Sequence, residues 1–219
     1  MSWLLDLIYP RRCLFCDCVQ PVSDHGLLCD LCRNQAVYVG KAIDNKVNIR
    51  YVDECYSLFV YEKPVSDAIL ALKFSNRPDK GVGFGTLLAE YAKINIPEYK
   101  EAVVVDVPLG KKRKKERRYN QSTIMARQMS KVLQIDFLKD AVIRIRETKA
   151  QSTLGSKERM MNIKGCFYIP DPFKLEEKVV IIPDDVVTTG STMNELSQEL
   201  KKAGAKKVIG ITVATSEVP

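Results

Sequence analysis

The segment VVIIPDDVVTTGST, residues 179–192, carries the decision about the fold. Its four apolar residues 179–182 read as a short buried strand, with Asp184 and Asp185 at the C-terminal end. Thr188, Thr189, Gly190, Ser191 and Thr192 follow as a loop that opens a helix over 193–203, whose stripe is Met193, Leu196, Leu200 and Ala203. At such a turn the backbone N–H groups of the loop and first helical turn converge, and the helix dipole adds partial positive charge. Thr and Ser hydroxyls supply further donors, and Gly190 lets the backbone come close to a ligand. A phosphate suits that cradle. Two carboxylates just ahead of it accept hydrogen bonds from a sugar diol, so the segment describes a sugar-phosphate site at the end of a parallel strand. The bland alternative is a capped helix with solvated aspartates, and Thr192 with Glu195 does match a capping box. Pro183 cannot donate to a sheet ladder, so the strand is expected to end one residue early and re-aim Asp184.

Working outward, apolar runs and helical stripes alternate from Tyr51 onward. Val65, Ala68, Ile69 and Leu72 follow helical spacing, as do Phe84, Leu87, Leu88 and Tyr91, and then Met125, Met129, Val132 and Leu133. Between them lie the apolar run 102–107, a weak alternation over 142–145, and a last run over 208–213. Gly204 closes the final helix. Strands that alternate with amphipathic helices imply an α/β domain with a mostly parallel sheet, here over residues 46–219.

Residues 1–45 differ. Cys13, Cys16, Cys18, Cys29 and Cys32 crowd into this stretch, and only Cys55 and Cys166 lie elsewhere. Seven cysteines, an odd count, argue against a disulfide framework. Cys13-x2-Cys16 and Cys29-x2-Cys32 each close a tight turn that aims two sulfurs at one point, and two such turns make the four-thiolate shell of a structural Zn2+. Cys18 and His25 stand as substitutes for one ligand, though each breaks the pairing. A closed four-cysteine shell leaves no place for water, so the site is structural rather than catalytic. Its net −2 charge calls for nearby cations, which Arg11, Arg12 and Arg33 supply. So small a module buries little core, and it is expected to fold on its metal, apart from the sheet domain.

The 219 residues are 46% hydrophobic and 28% charged, which excludes a disordered, collagenous or fibrous chain. The single histidine, His25, excludes multi-histidine metal sites. No apolar run approaches the length of a membrane span. The leading MSWLLDLIYPRRC lacks a basic start and is broken by Asp6, unlike a signal peptide, so a cytoplasmic chain is expected. The formal charge of +7 is local. KKRKKERR, residues 111–118, holds nearly all of it in Lys111, Lys112, Arg113, Lys114, Lys115, Arg117 and Arg118. Such a run is costly to bury and is expected on a mobile, solvated loop. Placed between a strand end and a helix start, it either solubilises the surface or grips pyrophosphate or a nucleic-acid backbone, with Tyr119 as a stacking face.

The strand-DDVVTTGST-helix segment resembles the phosphoribosyl pyrophosphate (PRPP) motif of type I phosphoribosyltransferases. More narrowly, the chain resembles the competence protein F (ComFC) family. Tyr9-Pro10 precedes the two cysteine pairs, and Leu72-Lys73-Phe74, Val107-Pro108-Leu109 and Arg118-Tyr119-Asn120-Gln121 follow in order, then Gln151, Leu154, Arg159 and Asn162. The resemblance implies an N-terminal helix and four-cysteine zinc module over 1–45 joined to a phosphoribosyltransferase-like domain. It implies ribose-contacting acids at Asp184 and Asp185, a 5′-phosphate loop at 188–192, and a pyrophosphate place at Val107-Pro108-Leu109. Lys73 then lies near the pyrophosphate or is a solvated helix-end lysine, and Arg118, Asn120 and Gln121 form a lid or are caps and surface residues. As a process the resemblance implies natural transformation. The chain would take part in DNA uptake with single-stranded DNA, a DNA-translocating ATPase and other competence proteins, at the inner face of the membrane through these partners. The alternative is phosphoribosyl transfer from PRPP, with Mg2+, to an unidentified acceptor.

Overall fold

The computed structural model of this chain describes residues 10–21, 26–42, 50–148 and 161–216. Its strands are β1 (Tyr38–Ala42), β2 (Glu54–Val60), β3 (Ala102–Val104), β4 (Ile143–Arg144), β5 (Phe167–Tyr168), β6 (Val179–Val187) and β7 (Lys207–Thr215). Five of them form one sheet in the order β1-β2-β7-β6-β3; β4 and β5 pair separately. The β2–β7, β7–β6 and β6–β3 pairs are parallel, and β1 is an antiparallel edge. The helices are α1 (Asp30–Gln35), α2 (Val65–Phe74), α3 (Pro78–Asn95), α4 (Lys111–Arg117), α5 (Gln121–Leu133) and α6 (Ser191–Lys202). Among the described residues no helix is long and apolar enough to cross a membrane.

The run Val179-Val180-Ile181-Ile182 is apolar throughout because both sheet faces are covered. Val179 and Ile181 pack with Leu72 of α2, Phe84 of α3 and Met125 of α5. Val180 and Ile182 alternate to the other face and meet Met193, Leu196 and Leu200 of α6. Each such fully buried side chain stabilises the fold by about 1.5–3 kcal/mol.

Several expectations change in the structure. The strand does not stop before Pro183: β6 continues to Val187, with Pro183 paired to Ile211 and Asp184 to Thr212 of β7. The missing donor falls on the opposite side, where β3 has already ended, and there Pro183 O accepts from Ser122 Oγ at 2.7 Å. The capping box does not form. α6 starts at Ser191 with Gly190 (φ 67) as its cap, and Glu195 Oε1 instead accepts from Gly165 N at 2.6 Å. The run 111–118 is no loop either; its first seven residues are α4, which Arg118 (φ 65) ends. Lys, Arg and Glu are strong helix formers, and like-charge neighbours on a helix cost only tenths of a kcal/mol per pair.

The cysteine-rich end also departs from expectation. Cys13, Leu14, Phe15, Leu28 and Cys32 are buried in the same core as α2, α3 and α5. Phe15 meets Phe59 edge-on at 5.5 Å between ring centroids. The first cysteine turn is thus built into the sheet domain's core rather than folding apart from it. Residues 1–9, where an N-terminal helix would lead in, and His25 lie outside the described residues, as do Gln151, Leu154 and Arg159.

Candidate functional site

A cleft of about 900 Å³ opens where β6 ends and α6 begins. Asp184, Asp185 and residues 188–192 all line it. Across from them stand Lys73 and Phe74 from the end of α2, and Arg113, Arg117 and Arg118 from the basic run. Lys111, Lys112, Lys114 and Lys115 are exposed and take no part in its lining. Arg113 and Arg117 sit one helical turn apart, so α4 divides its charge: two arginines turn inward and four lysines outward.

The loop takes its shape from Gly190, whose left-handed backbone lets residues 188–189 leave the strand and α6 start at Ser191. Thr189 Oγ1 and Ser191 Oγ lie 2.8 Å apart, and Asn194 N donates to Gly190 O at 2.8 Å. Ahead of the loop, Asp185 is nearly buried and its Oδ1 is 2.6 Å from Lys73 Nζ. Lys73 therefore faces the cleft rather than solvent. Asp184 Oδ1 accepts from Asp185 N at 2.8 Å. Burial, and next the neighbouring Asp185 charge, push the Asp184 carboxyl up to about 7.

Residues 120–122 complete the rear wall. Asn120 is both cap and lining: its Oδ1 accepts from Ser122 N at 3.2 Å, and its Nδ2 donates to Val107 O at 2.9 Å. Ser122 Oγ accepts from Val107 N at 2.8 Å while donating to Pro183 O, which staples the stretch beyond β3 to β6. Gln121 lines the cleft too, and its buried Nε2 has no hydrogen-bond partner among the described residues. At the rim, the Arg117 guanidinium stands 5.3 Å from the Phe74 ring centroid. Burial lowers the pKa of Arg113 and of Arg144, with the charges of Arg117 and Arg113 respectively adding to it. An anion entering the cleft relieves both effects. Asn162, unlike Gln121, does not line the cleft.

The second centre is the cysteine cluster. The sulfurs of Cys13, Cys16, Cys29 and Cys32 all lie within 4.8 Å of one another, and Cys18 is exposed and outside that set. Cys16 Sγ and Cys29 Sγ are 3.8 Å apart. The edge of a tetrahedron with Zn–S bonds of about 2.3 Å is about 3.8 Å, so the four thiolates fit Zn2+. Arg12 donates to Asp17 O at 3.0 Å and Arg33 to Leu28 O at 3.1 Å, which sets two expected cations on the turns. A third was not anticipated: Lys80, 1% exposed, donates to Leu14 O at 2.7 Å. It shares the helical face of the buried Phe84 and Leu88, four and eight residues on, but its partner Leu14 O is remote in sequence.

Residues 78–217 match the phosphoribosyl transferase domain family, and residues 4–43 match the double zinc ribbon domain. Competence protein F of Haemophilus influenzae is 32% identical over 156 residues, covering 68% of this chain and 66% of that protein. DNA utilization protein YhgH of Escherichia coli K12 is 33% identical over 155 residues, with the same shares covered. Competence protein ComFC of Streptococcus pneumoniae is 29% identical over 152 residues, covering 69% of this chain and 64% of that protein. The matched stretch spans just under two thirds of each relative's length. With an N-terminal zinc ribbon, a parallel sheet flanked by helices, and a family match over more than half its length, the chain belongs to the phosphoribosyl transferase domain family and resembles competence protein F.

Proposed function

We propose that the chain holds a ribose 5-phosphate group, as carried by PRPP, in this cleft, and that it serves DNA uptake or utilization. The observation that carries the reading is the meeting of paired acids and a helix-start loop inside one cleft walled by Lys73 and by Arg113, Arg117, Arg118 and Arg144. The 5′-phosphate sits on residues 188–192, and Asp184 and Asp185 accept from the ribose hydroxyls. The pyrophosphate, accompanied by Mg2+, lies toward Val107-Pro108-Leu109, where Arg113 and Gln121 Nε2, unpartnered among the described residues, supply donors. The names of the relatives support the process: competence in two, DNA utilization in the third. In that process the outward lysines of α4 meet single-stranded DNA by its phosphates, and a DNA-translocating ATPase and other competence proteins are the partners.

One feature favours a second reading, in which ribose 5-phosphate is transferred to an acceptor. Phe74 is 72% exposed at the rim, beside the half-open Leu70, and leaves an apolar shelf beyond the sugar's place. A titration of PRPP with Mg2+, followed by a pyrophosphate-release assay with and without single-stranded DNA, tests both. Binding without release supports the first reading, and release that needs an added acceptor supports the second. An absence of any PRPP binding at millimolar ligand overturns both.

A further inference from the structure

The cysteine turn and the cleft share one connecting segment. Asp17 stands between Cys16 and Cys18 in the left-handed region (φ 62), and its own N–H donates to Cys13 O at 3.0 Å. Its carboxylate meets Arg77 as a fork, Nη1 to Oδ2 at 3.0 Å and Nη2 to Oδ1 at 2.7 Å. Lys80 donates to the same carboxylate at 3.1 Å as well as to Leu14 O. The next turn of α3 is kept close: residue 83 is Gly, and a Cβ there would lie 2.4 Å from Leu14 Cδ1.

Arg77 caps α3 and lies four residues beyond Lys73, so the turn 75–77 joins Arg77, bound to Asp17, to the cleft-facing lysine. The end of α2 is pinned from the other side by Tyr119, whose hydroxyl donates to Leu72 O. Lys73 therefore reaches Asp185 from a short segment held at two points. One is the Arg118-Tyr119-Asn120-Gln121 stretch, and the other is Asp17.

We propose that Asp17 is a positioning residue through which the metal-held cysteine turn sets the Lys73 wall of the cleft, so that zinc binding and ribose-phosphate binding favour each other. The proposal rests on the ribose-phosphate reading of the cleft. Asp17 takes its left-handed conformation in the turn that Cys13 and Cys16 close, where its N–H bonds to Cys13 O. Metal loss frees that turn, withdraws the carboxylate from the fork, and leaves Lys80 buried with only Leu14 O as a partner. The α2–α3 turn then loosens. By linkage, whatever factor zinc adds to ribose-phosphate affinity, ribose phosphate adds to zinc affinity.

Asp17→Asn tests this, since Asn tolerates the left-handed region as well as Asp and all four cysteines remain. Native mass spectrometry checks that one zinc stays bound. The variant is expected to bind ribose 5-phosphate at least fivefold more weakly by calorimetry. Hydrogen exchange over 72–78 should rise toward that of chelator-treated parent protein. In the parent, saturating ribose 5-phosphate raises zinc affinity at least threefold against a competing chelator, and in the variant that gain is lost. A zinc-loaded variant with parental affinity and parental exchange overturns the proposal. Should Asp17→Asn not fold, Arg77→Lys keeps the charge while losing the forks to Asp17 and Asp79, and the same outcomes apply when it is compared with Asp79→Asn, which loses the second fork alone. If the parent binds no ribose 5-phosphate, the reading of the cleft fails separately. The positional coupling is then judged on exchange over 72–78 with and without chelator, and unchanged exchange overturns it.

Discussion

At the cysteine cluster two turns bring four sulfur atoms together, all within 4.8 Å of one another, and Leu14 and Phe15 of the first turn are buried. At residues 188–192 a single turn lines an open cleft of about 900 Å³. Both are charge sites built from tight turns, but one has its counter-charges already in place and the other leaves room for them. Arg12, Arg33 and Lys80 bond the backbone around the thiolates. Around the loop, Arg113 and Arg144 are held at lowered pKa by burial, a state that an anion improves. On the proposed function, the closed site contributes stability and the open site contributes binding. Changes at the closed site should appear in unfolding, and changes at the open site in affinity.

The largest expected effect is on the closed side. Phe15 is 3% exposed and packs on Phe59 and Phe84, so Phe15→Ala should cost about 3–5 kcal/mol in chemical denaturation. Leu31 belongs to the second cysteine turn and is 63% exposed; Leu31→Ala should stay within about 0.5 kcal/mol. Equal losses would mean that the two turns carry the core alike.

On the open side, pH gives a signature that is read in affinity as well as in stability. Asp184 is raised from 3.8 to about 7, so the folded chain holds a proton that the unfolded chain has lost between these values. Its contribution to stability therefore falls as pH rises from about 4 to 7 and levels off above, while the ionised form, which the proposed function assigns to the ribose hydroxyls, grows in over the same upper range. Ribose 5-phosphate affinity should rise several-fold from pH 6 to 8. Phosphate ionisation near pH 6 contributes to that rise in any variant, so the comparison is with Asp184→Asn, whose profile should be flatter. Parallel profiles would remove Asp184 from the site.

The smallest effect separates the two faces of α4. Replacing Lys111, Lys112, Lys114 and Lys115 by Gln keeps helix propensity and removes only the outward charge. If four to six strand phosphates are neutralised, the log–log salt slope of single-stranded DNA binding should be about −3 to −4, and it should flatten by about 0.7 for each phosphate that the variant leaves unpaired. Ribose 5-phosphate affinity should hardly move, because only Arg113 and Arg117 among the α4 cations face the cleft. A parental DNA slope in the variant would leave these lysines as surface charge.

Legibility followed how local each feature is. The paired cysteines and the strand–acid–loop–helix order are set by neighbours in sequence, and Asp184, Asp185 and residues 188–192 do share one cleft. The stripes of α2 and α5 are local too, and Val65, Ala68, Ile69, Leu72, Met125 and Met129 are buried, as their spacing requires. Lys73 and Lys80 were not decided by their surroundings in sequence, since a lysine on a helix is solvated unless a distant acid or carbonyl meets it. Here Asp185 and Leu14 O do. β2 escaped notice because its ECYSLFV run mixes polar residues into a strand whose Ser57 is nonetheless buried beside β7. Glu195 matched a capping pattern, but the helix starts at Ser191 and a tertiary donor, Gly165 N, claimed its carboxylate. Pro183 argued against strand continuation only until β3 proved short enough to leave its missing donor unneeded.

The central claim, that residues 188–192 hold a phosphate, is tested most directly by calorimetric titration of ribose 5-phosphate into the parent protein and into Thr189→Val/Thr192→Val. Each hydroxyl bond to a charged group is worth about 1.5–3 kcal/mol, so the double variant should lose more than tenfold in affinity with its unfolding midpoint nearly unchanged. Parental affinity in the double variant, or no binding to the parent at millimolar ligand, would contradict it.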